Sequence, residues 1–123
     1  MTMADAANIA PVELDFSKLN GLVPVVLQHA GTKEVLMVGF VNREAWEQTL
    51  HTGRVTLYRR TLGRVQVKGE ETGDFLAVRR AVADCDHDSV VLEVVPDSPV
   101  CHYGRHSCFF REIPLRPDAQ PIP

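Results

Sequence analysis

The stretch "LVPVVLQHAGTKEVLMVGFVNREAWEQTLHTG", residues 22–53, decides the fold. Its first two runs, "LVPVVLQHA" and "EVLMVGFV", are rich in β-branched residues and flank the turn signal Ala30-Gly31-Thr32, so each reads as a strand. The period then changes. In "NREAWEQTLHTG", Asn42 is a candidate N-cap, Glu44 suits the first turn, Ala45, Trp46, Thr49 and Leu50 share one face, and Gly53 ends the helix. Further along, "RVTLYRR", "VQVKG", "FLAVRRAVADCD" and "SVVLEVV" read as strands, with Leu62-Gly63-Arg64 as another turn signal. The expected fold class is mainly β (α+β): mostly antiparallel sheet carrying one short helix. Residues 1–20 read as a loose lead-in and "LRPDAQPIP" as a proline-punctuated tail, leaving a folded part over 21–113. There are no internal repeats and no low-complexity tracts.

A chain of 123 residues fits one domain that can bury a core without disulfides. Hydrophobic residues make up 45%, charged residues 24%, and the net charge is -3, which argues against disorder and against general nucleic-acid affinity. The charge is uneven. Of the 13 Lys and Arg, seven (Arg54, Arg59, Arg60, Arg64, Lys68, Arg79 and Arg80) fall between positions 54 and 80, a pattern that suits a small anionic ligand and equally a solvated charged face. The N-terminal "MTMADAANIAPVELDF" does not read as a secretory signal, and no later segment reads as a membrane span, so a cytoplasmic location is expected. In that reducing compartment three cysteines point to metal binding or catalysis before disulfides.

All three, Cys85, Cys101 and Cys108, lie in "ADCDHDSVVLEVVPDSPVCHYGRHSCFF", residues 83–110. Read as a strand over 82–94, this segment places Asp84, Asp86 and Asp88 on one face and Cys85 and His87 on the other. Alternate carboxylates along a strand lie about 7 Å apart and repel unless they face water or share a cation. Taken alone, the pattern reads first as a solvated acidic strand end; as a site, its oxygens suit Mg²⁺ or Ca²⁺. Cys101 and Cys108 are separated by six residues, with Gly104 available for a sharp reversal, and with Cys85 they make three soft ligands for Zn²⁺. Three protein ligands leave a fourth position for water, whose pKa falls to about 7 in catalytic zinc sites. Three small buried side chains are the plainer alternative. His102 and His106 flank this loop as general base, fourth ligand or hydrogen-bond donor, whereas His87 reads as a packed or solvent-facing imidazole and His29 and His51 as surface residues.

"EVLMVGFVNREAWEQTLHTGRV", "LGRVQVKGEETG", "DCDHD" and "CHYGRHSCFFR" together resemble, in order and spacing, the phosphoribosyl-AMP cyclohydrolases of histidine biosynthesis. The resemblance covers about residues 17–113, leaving 1–16 as lead-in and 114–123 as tail. It implies an intertwined homodimer with its active site at the subunit interface, which opens the adenine ring of phosphoribosyl-AMP by hydrolysis. It further implies Mg²⁺ on Asp84, Asp86 and Asp88, and Zn²⁺ on Cys85 of one subunit and on Cys101 and Cys108 of the other. His102 becomes the candidate for moving the proton, with His106 beside it, and Arg59, Arg64, Lys68 and Arg105 become the candidates for binding a small phosphorylated nucleotide. Neither a nucleic-acid nor a membrane partner is implied. No pyrophosphohydrolase partner domain is expected within these 123 residues, so the preceding pathway step is expected of another protein.

The middle of the chain departs from the family pattern. Where the family commonly carries an aromatic, Trp, Ser, a variable residue, Ser, Arg and Gly, this chain reads Leu57-Tyr58-Arg59-Arg60-Thr61-Leu62-Gly63. Gln66 stands where the family has a tryptophan, and Gly69-Glu70-Glu71-Thr72-Gly73 stands for Gly-Glu-Thr-Ser-Gly. His87 replaces a usual glycine and His106 a usual arginine. Losing an aromatic ring and gaining a guanidinium alter stacking area, volume and charge. Two alternatives therefore stand beside the family activity: a diverged hydrolase acting on another cyclic amidine or heterocycle, and a non-catalytic, zinc-stapled dimeric binding module.

Overall fold

In a computed structural model, which describes residues 12–101 and 103–120, the opening stretch folds as its composition dictates. β1 (Val23–His29) and β2 (Val35–Val41) form an antiparallel hairpin. Val23, Val25 and Leu27 alternate into the core with no exposed surface. Pro24 pairs with Phe40 on the β2 side and precedes the first pair with the other neighbouring strand, so that neighbour asks no N–H of it. α1 (Arg43–Thr52) follows directly. The Asn42 side chain accepts the Ala45 N–H at 2.8 Å, and Gly53, in the left-handed region at φ 71°, donates its N–H to the Thr49 carbonyl.

Ala45, Trp46 and Thr49 are buried as expected, but Leu50 is 56% exposed. The helix packs against β2, β3 (Thr56–Arg59) and β4 (Arg64–Val67), and Leu50 falls beyond that contact. Thr49 ties the helix to β3: its hydroxyl donates to the Ala45 carbonyl at 2.9 Å and accepts the Thr56 N–H at 3.0 Å.

β5 (Ala77–Ala83) and β6 (Val90–Val95) complete a four-stranded sheet in the order β2-β1-β6-β5, while β3 and β4 pair as a separate antiparallel ribbon. The sheet is antiparallel except at its centre, where β1 and β6 run parallel from Val25–Val90 to His29–Val94. Among the described residues the chain is thus strands with one short helix, a mainly β (α+β) fold. No helix among them is long and apolar enough to cross a membrane. The lead-in is fixed earlier than residue 21: Leu14 is buried in the core and the Asp15 N–H donates to the His87 carbonyl at 2.7 Å.

Glu93, 8% exposed on β6, is held between the Lys33 ammonium at 2.7 Å and the Arg80 guanidinium at 3.0 Å. Lys33, and then Arg80, hold its carboxyl below the usual glutamate value despite desolvation. A carboxyl depressed by folding adds stability above its unfolded pKa, about 4.3, and that stability is lost as pH falls through the folded value. Wild type is therefore expected to lose urea resistance more steeply than Glu93→Gln on acidification below about pH 4.3, the variant being the weaker of the two at neutral pH.

Candidate functional site

The strand expected over 82–94 is instead the end of β5, a turn over 84–89 and β6. The aspartates break the ladder themselves. Asp84 Oδ1 accepts the backbone N–H of Asp88 at 2.9 Å and of Ser89 at 3.2 Å, and Ser89 Oγ donates to Asp84 Oδ2 at 2.7 Å, an arrangement that closes a turn. His87 sits at φ 61° in the left-handed region. It is anchored there by its carbonyl, which accepts from Asp15, and by its Nδ1, 3.2 Å from the Glu13 carbonyl. Strand alternation therefore does not sort the carboxylates from the thiol. The turn nevertheless gathers the carboxylates of Asp84, Asp86 and Asp88 within 4.8 Å of one another, closer than a strand would.

Lys18 caps this cluster, its ammonium 3.3 Å from Asp86 Oδ2 and 3.0 Å from Asp88 Oδ2. Both contacts raise the Lys18 pKa. The Ser89 hydroxyl and the turn N–H groups drive the Asp84 carboxyl far below the usual range. Asp88 moves the other way: Lys18 pulls it down, but the Asp84 and Asp86 carboxylates and desolvation together push it up. Negative charge is concentrated here, and a cation already sits against it.

The thiol pair is built by a reversal beyond β6. The Cys101 carbonyl accepts the N–H of Gly104, which lies at φ 85°, and the Cys101 N–H donates to the Arg105 carbonyl at 2.9 Å. The chain then anchors along β2: Ser107 Oγ donates to the Val35 carbonyl at 2.8 Å and the Cys108 N–H to the Leu36 carbonyl at 2.7 Å. Cys101 and Cys108 meet as a result; burial and the adjacent Cys101 sulfur push the Cys108 thiol up, against a smaller pull from Lys68. Cys85 is exposed on the acidic turn and joins no cluster of three ligands with them among the described residues.

Beside the pair opens a cleft of about 440 Å³, lined by Leu57, Arg59 and Gln66 of the ribbon, by Lys68 just beyond it, by the 69–74 loop and by Cys101. Its volume suits a small molecule.

A family model described as phosphoribosyl-AMP cyclohydrolase matches residues 37–110, more than half of the chain, from β2 through the thiol loop. The chain belongs to the phosphoribosyl-AMP cyclohydrolase family. Among curated relatives, the histidine biosynthesis bifunctional protein HisIE of Bacteroides thetaiotaomicron is 49% identical over 98 residues, covering 80% of this chain and 48% of the relative. The protein of the same name from Staphylococcus epidermidis is 48% identical over 103 residues, 84% and 48% of the two chains. That from Escherichia coli is 47% identical over 97 residues, 79% and 48%. The chain spans about half the length of these relatives.

Within this cyclohydrolase-family chain the expected site residues separate. Arg59 and Lys68 line the cleft. Arg64 lies 3.7 Å from Glu70 and Arg105 stacks on Phe110, neither on the cleft wall. The His106 ring pairs with Glu34, away from that wall. His102 lies outside the described residues. Sequence reasoning missed Lys18, which is 68 positions from Asp86 with no local pattern joining them, and Ser89, whose place directly after DCDHD was the available signal. It also missed that Gln66 and Glu71 touch.

Proposed function

We propose that this chain opens the adenine ring of phosphoribosyl-AMP by hydrolysis, a step of histidine biosynthesis, and that it works as a homodimer sharing its metal site between subunits. The observation that carries the reading is the cleft, which brings two cationic side chains, Arg59 and Lys68, to the wall that carries Cys101. The donor sets fit the metals of the family. An ammonium already held by two carboxylates of the triad supports a cation site of oxygen ligands, which suits Mg²⁺. Two thiols brought together beside the cleft suit Zn²⁺, with Cys85 of a second copy as third ligand. When bound, zinc supplies Lewis acidity and a nucleophilic water at neutral pH.

The chain's own groups do the rest. Water adds to the ring carbon between N1 and the exocyclic nitrogen, its proton passes to a base, the bond from that carbon to N1 breaks, and N1 takes a proton. His102 is our candidate for that transfer. His106 would first have to leave Glu34. Lys68 and Arg59 hold phosphate, and the 69–74 loop walls the substrate from bulk water.

The deciding experiment incubates the metal-loaded protein with phosphoribosyl-AMP and follows ring opening by ultraviolet absorbance. Turnover is expected. A folded, zinc-loaded dimer without turnover would favour the diverged hydrolase, a reading supported by the polar residues at 59, 66 and 71 of the cleft. Four protein ligands on zinc would favour the binding module.

Lys18 tests the magnesium site. In Lys18→Gln no ammonium has to be displaced, so Mg²⁺ or Mn²⁺ is expected to bind roughly threefold to tenfold more tightly than to wild type. Without metal the variant should melt at lower temperature, since three clustered carboxylates lose their counterion. Equal metal affinity in the two proteins would place the cation elsewhere.

A further inference from the structure

We propose that Arg59 is a specificity-determining contact for a phosphate of the substrate, held in position by Gln66 and Glu71, the three acting as one hydrogen-bonded unit. This rests on the cleft being the phosphoribosyl-AMP site. The ribbon register supplies the placement. Leu57 pairs with Gln66 and Arg59 with Arg64, so residues 57, 59, 64, 66 and 68 fall on one face, and four of them line the cleft.

On that face Arg59 Nη1 donates to Gln66 Oε1 at 2.6 Å, and Gln66 Nε2 donates to Glu71 Oε1 at 3.3 Å. Gln66 is 7% exposed, and both ends of its amide are engaged. The relay has one workable direction. The guanidinium can only donate and the carboxylate only accept, so turning the amide over would break both bonds at once.

Arg59 itself is exposed at the cleft. A guanidinium carries five N–H donors in a planar fork, and the hydrogen bond to Gln66 uses one of them. That bond restrains one edge of the fork and leaves its other N–H donors for a ligand. In-plane donors suit the oxygens of a phosphate, with Lys68 on the same wall as a second positive charge.

The cleft therefore holds a cation positioned by a buried amide and a carboxylate, a charge-assisted grip suited to phosphate.

The test is steady-state kinetics of the metal-loaded protein on phosphoribosyl-AMP, with calorimetric binding of AMP and of adenosine as non-reacting probes. Arg59→Gln is expected to raise KM about tenfold to hundredfold with kcat within about threefold of wild type, the span of one charge-assisted hydrogen-bonded contact. It should also shrink any preference for AMP over adenosine, Lys68 retaining the remainder. Glu71→Gln, at an exposed position, should shift KM in the same direction by less, and should add nothing once Arg59 has been replaced, because the carboxylate acts through the guanidinium. An unchanged KM in Arg59→Gln, additive effects of the two substitutions, or equal AMP binding by wild type and Arg59→Gln would each overturn the inference. If wild type binds AMP through Arg59 but does not turn over phosphoribosyl-AMP, the reaction assignment fails and the phosphate contact stands.

Discussion

Cys108→Ser is expected to strip the protein of stoichiometric zinc and to lower turnover of phosphoribosyl-AMP by at least about a thousandfold, as losing a ligand of a catalytic zinc does. The side chain is a clean target. Cys108 is held in register by its backbone N–H on the Leu36 carbonyl, a bond that serine keeps, so the fold should survive the loss of sulfur. Without metal, burial and the neighbouring Cys101 favour the protonated Cys108 thiol. Zinc binding should therefore release protons, and a calorimetric titration in buffers of different ionisation enthalpy would count them. Metal analysis and the absorbance assay on the same preparation decide the matter. Full zinc content with unchanged turnover would remove Cys108 from the site.

Gly69→Ala should be the most damaging single substitution in the cleft wall. Gly69 lies at φ 86°, and a Cβ there would meet the Asp74 carbonyl oxygen at 2.1 Å, a clash with backbone that no side-chain rotation relieves. Left-handed strain costs about 1–3 kcal/mol in a non-glycine residue, and the clash adds to it unless the loop opens. The 69–74 loop is closed by N–H groups of Thr72 and Gly73 on the Gly69 carbonyl, and opening it would move Glu71 and Lys68 together. Chemical denaturation should show a loss of about 2–4 kcal/mol or a less cooperative transition, and KM should rise. Gly73→Ala is the control. Its φ is also positive, at 79°, but a Cβ there meets nothing within 4 Å, so only the conformational cost remains.

The strands and helix were legible because each announces itself over a few residues. Val23, Val25 and Leu27 alternate into the core, and Asn42 and Gly53 bracket the helix. The acidic turn was not. DCDHD has the alternation of a strand, and what ends the strand is side-chain chemistry: Asp84 takes up the turn's N–H groups, and His87 accepts a left-handed backbone. The carboxylates converge more closely than the strand reading allowed, because the turn folds them together. Leu50 was misplaced because helical periodicity defines a face without showing how wide a partner covers it. In the candidate site, the sequence singled out Cys101, Cys108, Lys68 and Arg59, which the fold brings to the cleft or beside it, and equally Arg64, Arg105 and His106, which it does not. Contacts such as Lys18 with Asp86 and Gln66 with Glu71 depend on how distant segments dock, and no local pattern encodes them.

The parallel pairing at the centre of the sheet bears on how the molecule assembles in time. β1 gains its first neighbour at once, through a short hairpin, but its second is β6, and β2, the helix, the ribbon and β5 all lie between them in the chain. Closing so long a loop is entropically costly before any contact rewards it, so docking of β6 on β1 is expected to be late and slow. The acidic turn enters β6 and the thiol loop leaves it. Until that strand docks, the hairpin of β1 and β2 leaves one edge of β1 unpaired, and the thiol loop that follows β6 is not yet held along β2. A nascent or heat-loosened molecule would lose the anchoring of its thiol loop and expose an aggregation-prone edge in one event.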